Sequence, residues 1–194
     1  MFPWLVYMEG YHKESFNSRN GEYMMEAKTT IKCTCGWNEE SFLITNNSII
    51  THLLPGEEIL YRPGTGHKLI SFSRRQKVWM PAGTGNIADR SGNTWGGFLT
   101  IYCSLRSPRR FVINNTAALF RGESAENILT AYMRRILTDV MENIINTPAW
   151  NGTELDKQQL WTDIEKKIRQ NLRSNGWEAD IVRPGAIIRT GKEV

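Results

Sequence analysis

The sequence is poor in the residues from which most catalytic and metal centres are built. Its 194 residues include three cysteines and three histidines. Cys33 and Cys35 lie two apart, on one face of an extended strand, and are too close to pair; with Cys103 the count is odd, so reduced thiols are expected. C-x-C is not the C-x2–4-C spacing of structural zinc sites, and no second pair follows. Cys33-Thr34-Cys35 with His52, His67 or Cys103 is therefore not read as a metal centre. His12, His52 and His67 fall in an amino-terminal arm or beside turns, no G-x-S-x-G occurs, and Asp139 and Glu142 face solvent on a helix. Nucleophile, base and orienting acid are not brought together, so the expectation is no catalytic residue, no metal and no cofactor.

Long apolar runs are also missing. A membrane-spanning helix needs roughly 18 apolar residues, and the longest candidate, residues 1–8, stops at Glu9. A secretory signal needs a basic start, whereas His12 and Lys13 come after the apolar run, so the compartment is read as cytoplasmic. On that reading the sequons at Asn46, Asn114 and Asn151 are chance matches. Internal repeats and low-complexity tracts are absent. The glycine stretches at residues 63–66 (PGTG) and 82–85 (AGTG) lack the phosphate-loop spacing and a following helix, which makes them turns.

Apolar residues make up 40% of the chain and charged residues 23%, the composition of a folded protein, and the length suits one domain. The net charge of +4 is unevenly spread. Residues 1–60 carry 4 basic and 8 acidic side chains, residues 61–110 carry 9 and 1, and the remainder 11 and 11. A local excess of +8 calls for an anionic neighbour: phospholipid, nucleic acid or the acidic first third of another copy. The cations Arg74, Arg75, Lys77, Arg106, Arg109 and Arg110 lie at the ends of strand candidates, where they can contact an anionic surface or another subunit. Nucleic acid is the weaker choice, because no RNP-like run or KH glycine loop is visible.

Residues 1–26 read as an aromatic and polar arm, whose Phe2, Trp4, Leu5 and Tyr7 suit a membrane interface or a subunit contact. Residues 27–194 form the domain. Short alternating runs predict strands over 28–35, 58–61, 68–72 and 76–80, the last three as a meander closed by Pro81. The longest strand is expected over 95–105, with Leu99, Ile101, Cys103 and Leu105 on one face, ended by Pro108. Ser124 caps a helix with a paired stripe from Ile128-Leu129 to Ile144-Ile145. Thr153 and Asp156 form a capping box for a second helix, which Asn175-Gly176 ends. Trp177, Ala179 and Ile181 then alternate as an edge strand, Arg183-Pro184-Gly185 turns the chain, and a short strand follows. The fold class is α+β, a largely antiparallel sheet with two carboxy-terminal helices packed on one face.

Residues 89–112, DRSGNTWGGFLTIYCSLRSPRRFV, place an acidic-glycine turn before a long strand and a proline-basic corner. With the helices over 126–145 and 156–177, this segment resembles the SPFH or Band 7 domain of stomatins, prohibitins and flotillins. The resemblance covers residues 89–188, and residues 27–88 match it only weakly. It implies a non-enzymatic, membrane-associated scaffold that forms homo-oligomers and organises other proteins. A structural component of a viral particle or another large complex suits the same residues, and an enzyme or nucleic-acid-binding protein comes third.

Overall fold

The computed structural model describes residues 30–63 and 66–192. The arm over residues 1–26, with Phe2, Trp4, Leu5 and Tyr7, lies outside them, as do Gly64 and Thr65. Along the chain the elements are β1 (Ile31–Thr34), β2 (Glu39–Ile44), β3 (Ile49–Leu53), β4 (Glu58–Tyr61), β5 (Lys68–Ser73), β6 (Lys77–Gly83), β7 (Ile87–Ala88), β8 (Asn93–Leu105), α1 (Pro108–Phe120), α2 (Ala125–Ile145), α3 (Glu154–Ser174) and β9 (Trp177–Lys192). Among the described residues all strand pairs are antiparallel and there are three helices, a mixed α+β arrangement.

The central sheet grows from the alternation in β8. Leu99, Ile101 and Cys103 are fully buried and Leu105 nearly so, whereas Phe98, Thr100 and Tyr102 point the other way. β9 pairs with β8 from Leu105↔Trp177 to Asn93↔Lys192. The opposite edge of β8 takes β6, from Lys77↔Ser104 to Gly83↔Phe98, and then β7 at Ile87↔Trp95 and Ala88↔Thr94. Helix α2 packs on β6 and β7, α3 packs on β9, and the two helices touch each other, which covers the inner face of this sheet. The α2 stripe is buried as its spacing predicts, with Leu129, Met133, Leu137 and Met141 almost without exposure, and α3 supplies Leu160, Ile164, Ile168 and Leu172. Gly97 lets α2 approach: a Cβ there would press on the Met141 sulfur.

Four expectations need correcting. Pro108 does not merely end a strand; it opens α1 at its first turn, with the Ser107 side chain accepting from the Arg110 N–H. Proline is tolerated there because that N–H has no intrahelical acceptor. The helix was hidden by its content: Arg109 and Arg110 replace the acids expected in a first turn, and Asn115 and Thr116 bond back to the Phe111 and Val112 carbonyls, leaving Asn115 non-helical at φ −130 and ψ 19. Pro81 does not close β6, which continues to Gly83; among the described residues β6 pairs on one side only, and an edge strand accommodates a missing N–H. Arg183-Pro184-Gly185 is not a turn but a bulge inside one 16-residue strand, where Gly185 and Ala186 stand opposite Phe98 alone. Finally, the meander does not form: β4 pairs with β1, β5 joins β2 and β3, and β6 goes to β8.

Helix α1 joins the smaller β3-β2-β5 sheet to the central one. The rings of Phe42, Phe72, Phe111 and Trp177 run edge to face at centroid distances of 6.4, 5.7 and 5.5 Å, so one core extends through both sheets. At the far end of β8, Asp89 latches the turn from β7. Its carboxylate accepts the Ser91 and Asn93 backbone N–H groups at 2.8 and 2.9 Å, the Asn93 side chain at 3.0 Å and the Trp95 indole N–H at 2.8 Å. Burial pushes the Asp89 carboxyl up, but these hydrogen bonds together outweigh it and hold the group at about 2.

Two outcomes are expected from this packing. Leu137→Asp buries an uncompensated charge and costs roughly 3–5 kcal/mol, more than Ile136→Asp, because Leu137 has no exposure whereas Ile136 borders a surface groove that Lys167 also lines. Urea unfolding that ranks the two in the opposite order would remove the stripe's centre from the core. For Asp89 the folded value lies below the unfolded one, so its stabilisation is present above about pH 4 and is lost as pH falls toward about 2. The parent should therefore lose stability across that window more steeply than Asp89→Asn, as read from urea midpoints against pH.

Candidate functional site

The six cations singled out in the sequence converge on one end of the central sheet. The Gln76 carbonyl accepts the Leu105 N–H at 2.8 Å, which sets the β5–β6 corner, carrying Arg74, Arg75 and Lys77, beside Arg106 at the end of β8. Arg109 and Arg110 follow in the first turn of α1, and Arg110 donates to the Arg173 carbonyl at the end of α3. Their surroundings differ. Arg74 pairs with Glu40 at 3.3 Å, and Arg106 pairs with Glu178 at 2.9 Å and Asp180 at 3.7 Å. Lys77 stands 5.5 Å above the Tyr102 ring. Arg75 and Arg109 are exposed, and neither side chain has an acidic partner among the described residues. Acids from β2 and β9 thus neutralise part of the cluster, a pairing that segment-by-segment charge counting does not reveal. On the other side, two of the acids of the first third are engaged at home: Glu40 with Arg74 and His52, and Glu58 with Lys32 at 2.7 Å.

A second surface went unremarked in the sequence. The outer face of the central sheet, opposite α2 and α3, carries an apolar and aromatic patch between polar and charged rows. Trp79 is 67% exposed, Phe98 50%, Ile188 55% and Ile181 44%. Cross-strand register places Trp79, Tyr102 and Ile181 in one row, and Pro81, Thr100 and Arg183 in the next. The two rows line a shallow depression of about 280 Å³ formed by Trp79, Thr100, Tyr102, Ile181 and Arg183. An antiparallel sheet with one covered face ordinarily presents polar side chains on the other, so contiguous aromatic exposure marks a place of contact. The available signal was the alternation itself: the strand that buries Leu99 and Ile101 shows Phe98 and Tyr102 outward.

The cysteines and histidines do not meet. Cys35 is buried, its sulfur accepting from the Ser41 hydroxyl at 3.4 Å and lying near the Glu39 and Leu53 carbonyls. Cys33 is half-buried, and burial pushes its thiol up. Cys103 lies in the core of β8, where burial and then the nearby Asp180 carboxylate push it up to about 12. The His52 ring stacks on Phe42 at 4.4 Å and meets Glu40 at 2.9 Å. Among the described residues no group of three or more His, Cys, Asp or Glu side chains is placed to hold a metal ion, and no helix is long and apolar enough to cross a membrane. Asp139 and Glu142 are exposed on α2, Asp139 within 3.7 Å of Arg135. The AGTG stretch is the end of β6 and its exit, where the Thr84 hydroxyl accepts the Gly97 N–H at 3.0 Å.

Thiol chemistry reports on this arrangement. In the native protein a maleimide should modify Cys33 alone, and slowly, with Cys35 and Cys103 reacting only after denaturation. Peptide mapping that finds native Cys103 modified would place β8 at the surface.

Compared with protein-family models and with curated proteins, the sequence matches none.

Proposed function

We propose that this chain is a non-enzymatic, homo-oligomeric scaffold module with an SPFH-like domain, held at an anionic membrane surface by the basic end of its central sheet. The observation that carries the reading is the convergence of Arg74, Arg75 and Lys77 with Arg106, Arg109 and Arg110, from two separate stretches of chain, on one end of the central sheet. Exposed cations that gather in this way contribute about 1 kcal/mol each near a negatively charged bilayer. Arg75 and Arg109 are the best placed, since neither has to leave an intramolecular acid to reach a lipid phosphate. The SPFH-like part of the reading rests on the sequence resemblance of residues 89–188.

A second reading, a structural component of a larger particle or complex, is favoured by the aromatic outer face of the sheet, which suits protein contact better than lipid phosphate.

Sedimentation with phosphatidylserine vesicles tests the first reading. Changing Arg75 and Arg109 together to Ser should weaken binding by about 30-fold, from about 2 kcal/mol, with the melting temperature unchanged because both side chains are exposed. Raised salt should weaken the parent in the same direction. Equal binding to neutral and anionic vesicles, or none to either, sinks the membrane reading and leaves the second.

A further inference from the structure

We propose that the outer face of the central sheet is the interface of a two-fold dimer, with two copies packed sheet against sheet and the symmetry axis lying along β8. The inference rests on the homo-oligomeric part of the proposed function and assigns it a surface. It does not depend on membrane binding.

The register decides the geometry. Three consecutive outward rows run across the sheet: Lys77, Ser104 and Glu178; Trp79, Tyr102 and Ile181; and Pro81, Thr100 and Arg183. A two-fold axis parallel to β8 keeps each row at its own height and exchanges the flanking strands, so β6 of one copy lies over β9 of the other. Lys77 then faces the carboxylates of Glu178 and Asp180 in the second copy, Trp79 faces Ile181, and Arg183 lies over the Pro81 and Trp79 side. Tyr102, Thr100 and Phe98, on the central strand, meet their own symmetry mates. The Lys77–Glu178 and Trp79–Ile181 rows are each complementary to themselves under this one operation, and no like charges meet. An axis running across the strands near Thr100 would instead bring Arg183 against Arg183, a like-charge contact that costs free energy.

Size agrees with the same reading. With strands about 4.8 Å apart and about 3.3 Å per residue, the face is roughly 14 Å wide over the seven residues of β6 and about 10 Å wide over the remaining six of β8. Burying it on two copies removes about 1,000 Å² from water, the least that a specific interface needs. The apolar centre of Trp79, Tyr102, Phe98 and Ile181 with charges at the edges is the usual division between interface core and rim. Nucleic acid fits less well. A nucleic-acid strand stacking on Trp79 and Tyr102 would run its phosphates past Glu178 and Asp180 in the adjoining row.

The test uses the full chain without lipid. Light scattering across a concentration series should show a monomer–dimer equilibrium. Trp79→Glu should raise the dimer dissociation constant more than about 30-fold while leaving the melting temperature unchanged at concentrations where the parent too is monomeric, since Trp79 is mostly exposed. Lys77→Glu should weaken the dimer, and adding Glu178→Lys in the same chain should restore it, which a merely structural role for either residue would not do. In a Cys33→Ser background, Thr100→Cys should be linked to its own mate by a short bis-maleimide, whereas Leu155→Cys, exposed at the start of α3, should not. A chain that stays monomeric at all concentrations overturns the proposal. So does a dimer that survives Trp79→Glu, or one in which Thr100→Cys fails to cross-link. Vesicle binding by the monomeric Trp79→Glu variant keeps the membrane reading separate from this result.

Discussion

The structure turns on the carbonyl of Gly176, which accepts the backbone N–H groups of both Arg106 and Ser107 at 2.9 Å. Gly176 lies between the end of α3 at Ser174 and the start of β9 at Trp177, and the two donors are the residue that follows β8 and the N-cap of α1. One contact therefore fixes the relative positions of two strands and two helices. Only glycine permits it. Its φ is +81, and a Cβ would collide with the Ser107 carbonyl and crowd the Phe111 N–H. Once the junction is set, Trp177 is opposite Leu105 and the remaining β8–β9 register follows, interrupted by bulges where the twist is taken up. The Trp177 ring is also brought against Phe111, through which the smaller sheet joins the core.

What could be read in the sequence was whatever a single local rule decides. The α2 stripe, the Ser124 cap, the Thr153–Asp156 capping box and the Asn175-Gly176 stop each depend on residues within one or two helical turns, and each is found in place. The same holds for the two faces of β8. Helix α1 was illegible because its stability comes from tertiary burial of Phe111, Val112 and Leu119 and not from propensity, with cations where the dipole prefers acids. Proline misled twice for a related reason. Whether Pro81 or Pro184 ends a strand depends on whether its nitrogen faces a neighbour, and that is a property of the sheet, not of the flanking residues.

The candidate surfaces divide in the same way. The basic cluster could be listed from the sequence, since its members are near in chain order, but the Glu40, Glu178 and Asp180 partners come from strands far away along the chain. The aromatic face required knowing that nothing among the described residues covers the outer side of β6, β8 and β9. Alternation identifies two faces of a strand, and only the placement of the helices says which one is closed. The geometry that brings Trp79, Tyr102 and Ile181 into a row arises from pairings between segments about eighty and twenty residues apart, beyond the reach of any periodicity.

The span between β8 and its long partner has a consequence for how the chain is made. Trp177 leaves the ribosome 72 residues after Leu105, and at about 5–20 residues per second the interval lasts roughly 4–14 seconds. During that time β8 can close its hairpin with β6 and β7 but has no strand on its other edge, and the apolar sides of Ile101 and Leu105 wait for helices still being synthesised. A pairing of such long range makes the final step slow compared with the local elements. The nascent chain consequently passes through a stage with a bare edge of 13 residues, the state in which a trigger-type chaperone or a slow stretch of translation has the most to protect.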